Sequence, residues 1–137
     1  MTADAPEFLD TNILVYAFSQ DIRATRARNL LGRRCSIGVQ SLNELANVMR
    51  RKLGVPWAGV RAALADVTAL CSPVIALDLP IHLEGLRIAE RYGYGAYDSL
   101  LIAAARSAGC ATFWSEDLGD GVLIEGRMRI RNPFVAP

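Results

Sequence analysis

Lysine and histidine occur once each in these 137 residues, at Lys52 and His82. A lone histidine leaves no second imidazole for paired acid–base chemistry. Cysteine is sparse too: Cys35, Cys71 and Cys110 are an odd number at scattered spacings, with no C-x-x-C. That pattern argues against a disulfide framework and reads as buried thiols of a cytosolic protein. Long apolar runs are absent. The longest, residues 13–18 and 100–105, fall far short of the ~18 residues a membrane span needs. The N-terminal MTADAPEF has neither the basic region nor the apolar stretch of a signal peptide. Internal repeats, low-complexity tracts and linkers are also missing. The expectation is a cytoplasmic chain that forms one domain over residues 1–137.

Apolar residues make up 52% of the chain against 21% charged, which suits a sheet covered on both faces. Net charge is only +1, so no global basic field draws in a nucleic acid. The distribution says more. If four acids singled out below share one cleft, the remainder carries 15 basic residues against 10 acids, or +5. Fourteen of the fifteen are arginines, clustered at Arg23/Arg26/Arg28, Arg33-Arg34, Arg50-Arg51-Lys52 and Arg127/Arg129/Arg131. Arginine suits bidentate phosphate contacts, although any single cluster is ordinarily a solvated surface.

The segment EFLDTNILVYAF, residues 7–18, organises the rest. A short apolar run, Phe8-Leu9, meets Asp10-Thr11-Asn12 and then an apolar segment of helical length. It reads as a first strand ending in an acid, followed at once by a helix. Residues 22–31 have helical spacing, closed by Gly32. Residues 35–40 read as a buried strand. Ser41 then opens a helix to about Leu53, with Ser41-x-x-Glu44 matching a capping box. Further helices are expected over 56–70, 80–92 and 97–108. Strands are expected at 74–77, 111–114 and 128–130, with an apolar patch at 122–124. Short strands alternating with helices predict an α/β fold with a mainly parallel sheet of about five strands.

In such a sheet, strand carboxyl ends and helix N-termini lie on one edge, where ligands bind. Asp10 ends strand one. Glu44 falls in the first turn of the helix after strand two, and Asp98 in the first turn of the helix feeding strand four. Asp117 lies just past strand four. Taken singly, each has an ordinary explanation: an Asx-turn, a capping partner, a helix-dipole acid, a turn residue. Together they require an opposing charge, because clustered carboxylates cannot all stay ionised without one. No lysine is near in sequence. Hard oxygen ligands without histidine or thiol select Mg²⁺ or Mn²⁺ over Zn²⁺.

FLDTN, SLNEL, YDSLLIAAA and WSEDL also resemble, in order and separation, the four acidic signatures of the PIN domain. The resemblance spans essentially the whole chain. Its small size and the YDSLLIAAA…SEDL pairing are similar to the VapC group of toxin ribonucleases. The resemblance implies a three-layer α/β/α PIN-like domain and a metal-dependent endoribonuclease, usually dimeric, held inactive by a small antitoxin of the VapB kind. It carries the family's acids onto Asp10, Glu44, Asp98 and Asp117, and its supporting polar positions onto Asn12 and Ser115. Glu116 adjoins Asp117, and motif position favours Asp117 as the residue facing the metal. Asp10, Asp98 and Asp117 are the expected metal ligands. RNA would be cleaved by a metal-activated water.

Other candidates weigh less. His82 lies on an amphipathic helix away from the acidic edge. Tyr94, Tyr97 and Trp114 flank the acids and suit base stacking or core packing. A haloacid-dehalogenase-type phosphatase would show D-x-D where this chain has Asp10-Thr11-Asn12. A receiver-type phospho-acceptor needs a late lysine that is absent. A non-catalytic interaction module on the same fold has no reason to keep all four acids.

Overall fold

The computed structural model describes residues 5–135. The reading of the extreme N-terminus rests largely on residues 1–4 and lies outside them. Twelve elements follow in order: β1 (Glu7–Leu9), α1 (Thr11–Ala17), α2 (Ala24–Leu31), β2 (Ile37–Gly38), α3 (Val39–Arg51), α4 (Trp57–Leu70), β3 (Val74–Ile75), α5 (Leu79–Tyr92), α6 (Ala96–Ser107), β4 (Thr112–Trp114), β5 (Leu123–Ile124) and β6 (Met128–Arg131). The central sheet has four strands in the order β1-β4-β6-β5, parallel except for the β5–β6 pair. Parallel β2 and β3 form a separate pair. A single bridge, Phe8 to Ser36, links that pair to the free side of β1. There the Ser36 N–H donates to the Glu7 carbonyl at 2.7 Å, and the Leu9 N–H donates to Ser36 at 3.1 Å.

The expected α/β fold is therefore present, with a mainly parallel sheet of four hydrogen-bonded strands. The apolar patch at 122–124 supplies a strand, β5, which turns back against β6 rather than extending the parallel set.

Strand alternation divides the core into the two outer layers. Leu9 points into one cluster with Ile13 and Leu14 of α1, Leu30 of α2, Leu45 of α3 and Val67 of α4. Its neighbour Phe8 points the other way, onto Leu101 and Ile102 of α6, Ile88 of α5 and Phe113 of β4. The Phe8 and Phe113 rings stack at 5.4 Å. Each such side chain contributes about 1.5–3 kcal/mol on burial, so β1 is held firmly from both faces. What β1 carries at its end is held equally firmly.

Helix starts are set locally. The Asp78 carboxylate accepts from the Ile81 N–H at 2.9 Å and caps α5, with a proline in the first turn. Gly93, at φ 75°, ends that helix in a conformation that excludes most side chains. α6 then packs back against α5, and a Cβ added at Gly85 would come within 3.3 Å of the Leu100 backbone. That closeness fixes where α6 begins.

One expectation fails here. α3 starts at Val39 with Gly38 as its N-cap, so the strand before it stops at Gly38 rather than Gln40. The Ser41 hydroxyl reaches back to accept from the Gly38 N–H at 3.1 Å. Ser41 is thus spent one turn earlier than the S-x-x-E pattern supposes. Glu44 lies in the second turn of α3, not the first, and has no capping role.

Candidate functional site

β1 and β4 are adjacent and parallel, with Leu9 opposite Trp114. The residues that follow, Asp10 and Ser115, therefore emerge side by side at the carboxyl edge. The Asp10 N–H donates to the Trp114 carbonyl at 2.9 Å, and the Ser115 hydroxyl donates to Asp10 Oδ2 at 2.7 Å. Asp10 also caps α1: its Oδ1 accepts from the Thr11 N–H at 2.7 Å. The residue is only 4% exposed. Burial is the main reason its carboxyl is pushed up to about 7. The Ser115 and Thr11 hydrogen bonds hold it down, while Asp98 and Glu44 push it further up.

Asn12, in the first turn of α1, spans two acids. Its Nδ2 donates to Asp117 Oδ2 at 3.0 Å and approaches Asp10 Oδ2 at 3.5 Å. The Asp117 N–H in turn donates to the Ser115 hydroxyl at 3.2 Å. Asn12 and Ser115 thus tie the loop after β4 to the end of β1. Asp98 stands in the first turn of α6. Its carboxyl is raised by burial and then by Asp117. Glu44 enters from α3, raised chiefly by burial and also by Asp98, while a hydrogen bond from Gln40 Nε2 at 3.0 Å opposes the shift. All four acids line one cleft of about 380 Å³.

Glu116 is turned away from this group. Its Oε1 accepts from the Tyr16 hydroxyl at 2.8 Å, and its Oε2 accepts from Arg23 at 3.0 Å. Arg23 lies over the Tyr16 ring at 4.5 Å and also holds Asp21 at 2.8 Å. Of the pair, Asp117 lines the cleft and Glu116 does not.

Several residues that sequence reasoning passed over belong to the cleft wall: Thr11, Val15, Tyr16, Val48, Lys52 and Leu53. Lys52 had a legible signal, because it follows Glu44 and Val48 at four-residue spacing on one face of α3. It lines the cleft but forms no ion pair with the four acids, so no carboxylate of the cluster is paired among the described residues. The flanking candidates divide. Tyr94 donates to the Leu118 carbonyl at 2.6 Å, and Trp114 lies beneath Arg26, so both are engaged in packing. Tyr97 is 68% exposed. His82 is exposed on α5 and does not line the cleft.

The donor set is hard oxygen throughout, and two buried polar atoms of residues that line the cleft, the Thr11 hydroxyl and Asn12 Oδ1, have no hydrogen-bond partner. Both features fit a hydrated Mg²⁺ or Mn²⁺ held by one or two carboxylates. Among the described residues, no three acidic, histidine or cysteine side chains converge as a ready-made cage.

In class, this is an α/β domain that gathers carboxylates at the carboxyl edge of a parallel sheet. Residues 8–119 match the PIN domain family, and the chain belongs to it. Its fold is that of solved toxin–antitoxin proteins. A toxin–antitoxin complex from Klebsiella pneumoniae aligns at 18% identity and TM-score 0.70, over 93% of this chain and 98% of that one. DNA-bound VapBC from Salmonella typhimurium aligns at 21% and 0.68, over 94% and 98%. A Mycobacterium tuberculosis VapC described as a sarcin-ricin-loop-cleaving toxin aligns at 20% and 0.66, over 88% and 98%. A search of curated protein sequences found no match.

Proposed function

We propose that this chain is a metal-dependent endoribonuclease and the toxin of a toxin–antitoxin pair, working in the cytoplasm as one domain. The observation that carries the reading is the cleft itself: Asp10, Glu44, Asp98 and Asp117 come together from four separate elements, and among the described residues none of the four is in a salt bridge. Family membership and the toxin structures that share this fold support it. No helix among the described residues is long and apolar enough to cross a membrane.

Asp10 and Asp98 would hold the ion, with Asp117 beside them. A bound Mg²⁺ or Mn²⁺ supplies positive charge for a scissile phosphate and lowers the pKa of a water. The chain does the rest. Ser115 and Thr11 would keep Asp10 oriented, Asn12 would set Asp117, and Glu44, from α3, would serve as the proton-accepting carboxylate. The test is RNA cleavage by purified protein with Mn²⁺ or Mg²⁺, and its loss in EDTA. Cleavage that survives EDTA would refute the metal dependence.

Glu116 is expected to matter little to the ion. Glu116→Gln breaks pairs that are partly screened by solvent, so Mn²⁺ affinity in a calorimetric titration should change by less than about fivefold. Asp117→Asn should weaken it by at least about tenfold. The reverse ranking would exchange the two roles.

A small antitoxin of the VapB kind would cover the cleft and seat an arginine or lysine among the carboxylates in place of the ion's charge. The apolar rim at Val15, Val48 and Leu53 offers its flanking side chains a surface. We also propose a homodimer. Leu79, Leu83 and Leu86 stand exposed on α5 at 66%, 56% and 47%, an apolar stripe at helical spacing. Sedimentation at micromolar concentration should show a dimer, and Leu83→Glu should shift it to monomer. A wild-type monomer removes the claim.

A further inference from the structure

α3 carries a second functional face beside the one that supplies Glu44. Glu44, Val48 and Lys52 line the acidic cleft. One residue round the helix, Asn43, Asn47, Arg50 and Arg51 line a separate groove of about 440 Å³, closed at its far end by Trp57. The two depressions share α3 as a common wall. A strand leaving the cleft across α3 would meet the groove.

Trp57 calls for an explanation. It is the first residue of α4 and is 55% exposed, in a chain with only two tryptophans. An exposed indole presents a flat apolar face on which a planar group can stack. Its position is fixed by surrounding contacts. Gly54 turns the chain at φ 63°, and the Val55 N–H donates to the Met49 carbonyl at 2.9 Å. Arg50 donates to the Val55 carbonyl at 3.1 Å and lies over the indole at 4.7 Å. No acid lines the groove. Among the described residues, Arg50, Arg51 and Lys52 form no salt bridge, whereas Arg23, Arg33, Arg87, Arg91 and Arg106 do. Arg50 and Arg51 are thus left to face an outside charge, while Lys52 lines the acidic cleft.

We infer that this groove is a nucleotide subsite that binds one unpaired nucleotide of the RNA strand flanking the cleaved bond. The inference rests on the ribonuclease reading above. A base stacks on the Trp57–Arg50 platform, because every base has a π-face. Asn43 and Asn47 each present a donor and an acceptor to the base edge. Arg51 meets the backbone phosphate. An unpaired nucleotide is required because a base within a duplex has no free face to stack. An acidic segment of a protein partner would use the arginines but leave the two amides and the indole without a role.

The test uses the full chain carrying Glu44→Gln, which should bind RNA without cutting it. A short single-stranded oligonucleotide should quench tryptophan fluorescence, and Trp57→Phe should remove most of that change. In the otherwise wild-type chain, Trp57→Ala should raise KM about tenfold, the size of one lost base stack, with kcat changed less than twofold. Trp57→Phe should recover most of the KM. Arg51→Gln should lower the salt slope of binding by about one. Because both side chains are exposed, circular dichroism should match wild type. Cleavage by wild type with KM unmoved in Trp57→Ala overturns the subsite. Unmoved KM with weakened antitoxin inhibition also overturns it and assigns the groove to a protein partner. If wild type cuts no RNA, the nuclease reading fails separately, and quenching at Trp57 still decides whether the groove takes a nucleotide.

Discussion

Asp10→Asn is expected to stabilise the metal-free protein near pH 7 and above by about 2–4 kcal/mol, while abolishing RNA cleavage. The folded chain holds the Asp10 carboxyl at about 7, against 3.8 for the free group. Between those values the folded state keeps a proton that the unfolded chain has released. Stability from this group is therefore fully present below about pH 4, is lost as pH rises through about 7, and stays low beyond. Asparagine is neutral throughout and nearly the same shape. Its oxygen still accepts from the Thr11 N–H, and the Ser115 hydroxyl can turn from donor to acceptor. Urea unfolding of both proteins at pH 5, 6, 7 and 8 should show a steeper downward slope for wild type than for the variant, in which only the raised Glu44 and Asp98 still contribute. Mn²⁺ should restore stability to wild type alone. Equal slopes in the two proteins would mean that Asp10 is not strained in the metal-free fold. The comparison matters because a site that is costly when empty is a site arranged for a cation.

The edge that gathers the acids was legible in the sequence because it follows from strand and helix order. Phe8-Leu9 before Asp10, and the Ala111–Trp114 run before Ser115, already place two polar ends together in a parallel sheet. The rest depends on partners far apart in the chain. Nothing near Glu116 announces that Tyr16 and Arg23, some hundred residues earlier, take its carboxylate. The Ser41-x-x-Glu44 pattern misleads for a local reason. Gly38 can adopt the extended cap conformation and offers its own N–H, so the hydroxyl is used before the glutamate is reached. β5 was hidden because two residues, Leu123 and Ile124, are too few for alternation to register. Trp57 shows a third kind of failure. Its significance lies in the groove it forms with α3 from the start of α4, and no local spacing announces that.

Those positions bear on how the chemistry divides along the chain. In the ribonuclease reading the carboxylates repel phosphate, so ground-state attraction to RNA would come from outside the cleft, from cations such as Arg50 and Arg51. Glu44 lies between the two regions, on the helix that supplies both.

Glu44→Gln should consequently lower kcat by about 10² to 10⁴, the usual worth of a positioned acid–base group, and leave RNA affinity equal or tighter. Glutamine keeps the shape and can still accept from Gln40, while losing both the basic oxygen and the charge that repels phosphate. A half-buried carboxyl raised in pKa, as Glu44 is, is a better proton acceptor than a free one. Its loss should fall on turnover rather than on KM. The cut ends report the nucleophile. Attack by water makes no use of the ribose 2′-OH, so products should carry a 5′-phosphate and a 3′-hydroxyl. Attack by the 2′-OH leaves a cyclic phosphate and ordinarily relies on paired histidines, and this chain has one histidine, exposed on α5. End-group analysis of cleaved RNA, with Asp98→Ala as the inactive control, decides the matter. Cyclic-phosphate ends, or a Glu44→Gln protein that turns over at the wild-type rate, would rule out a water positioned by Glu44.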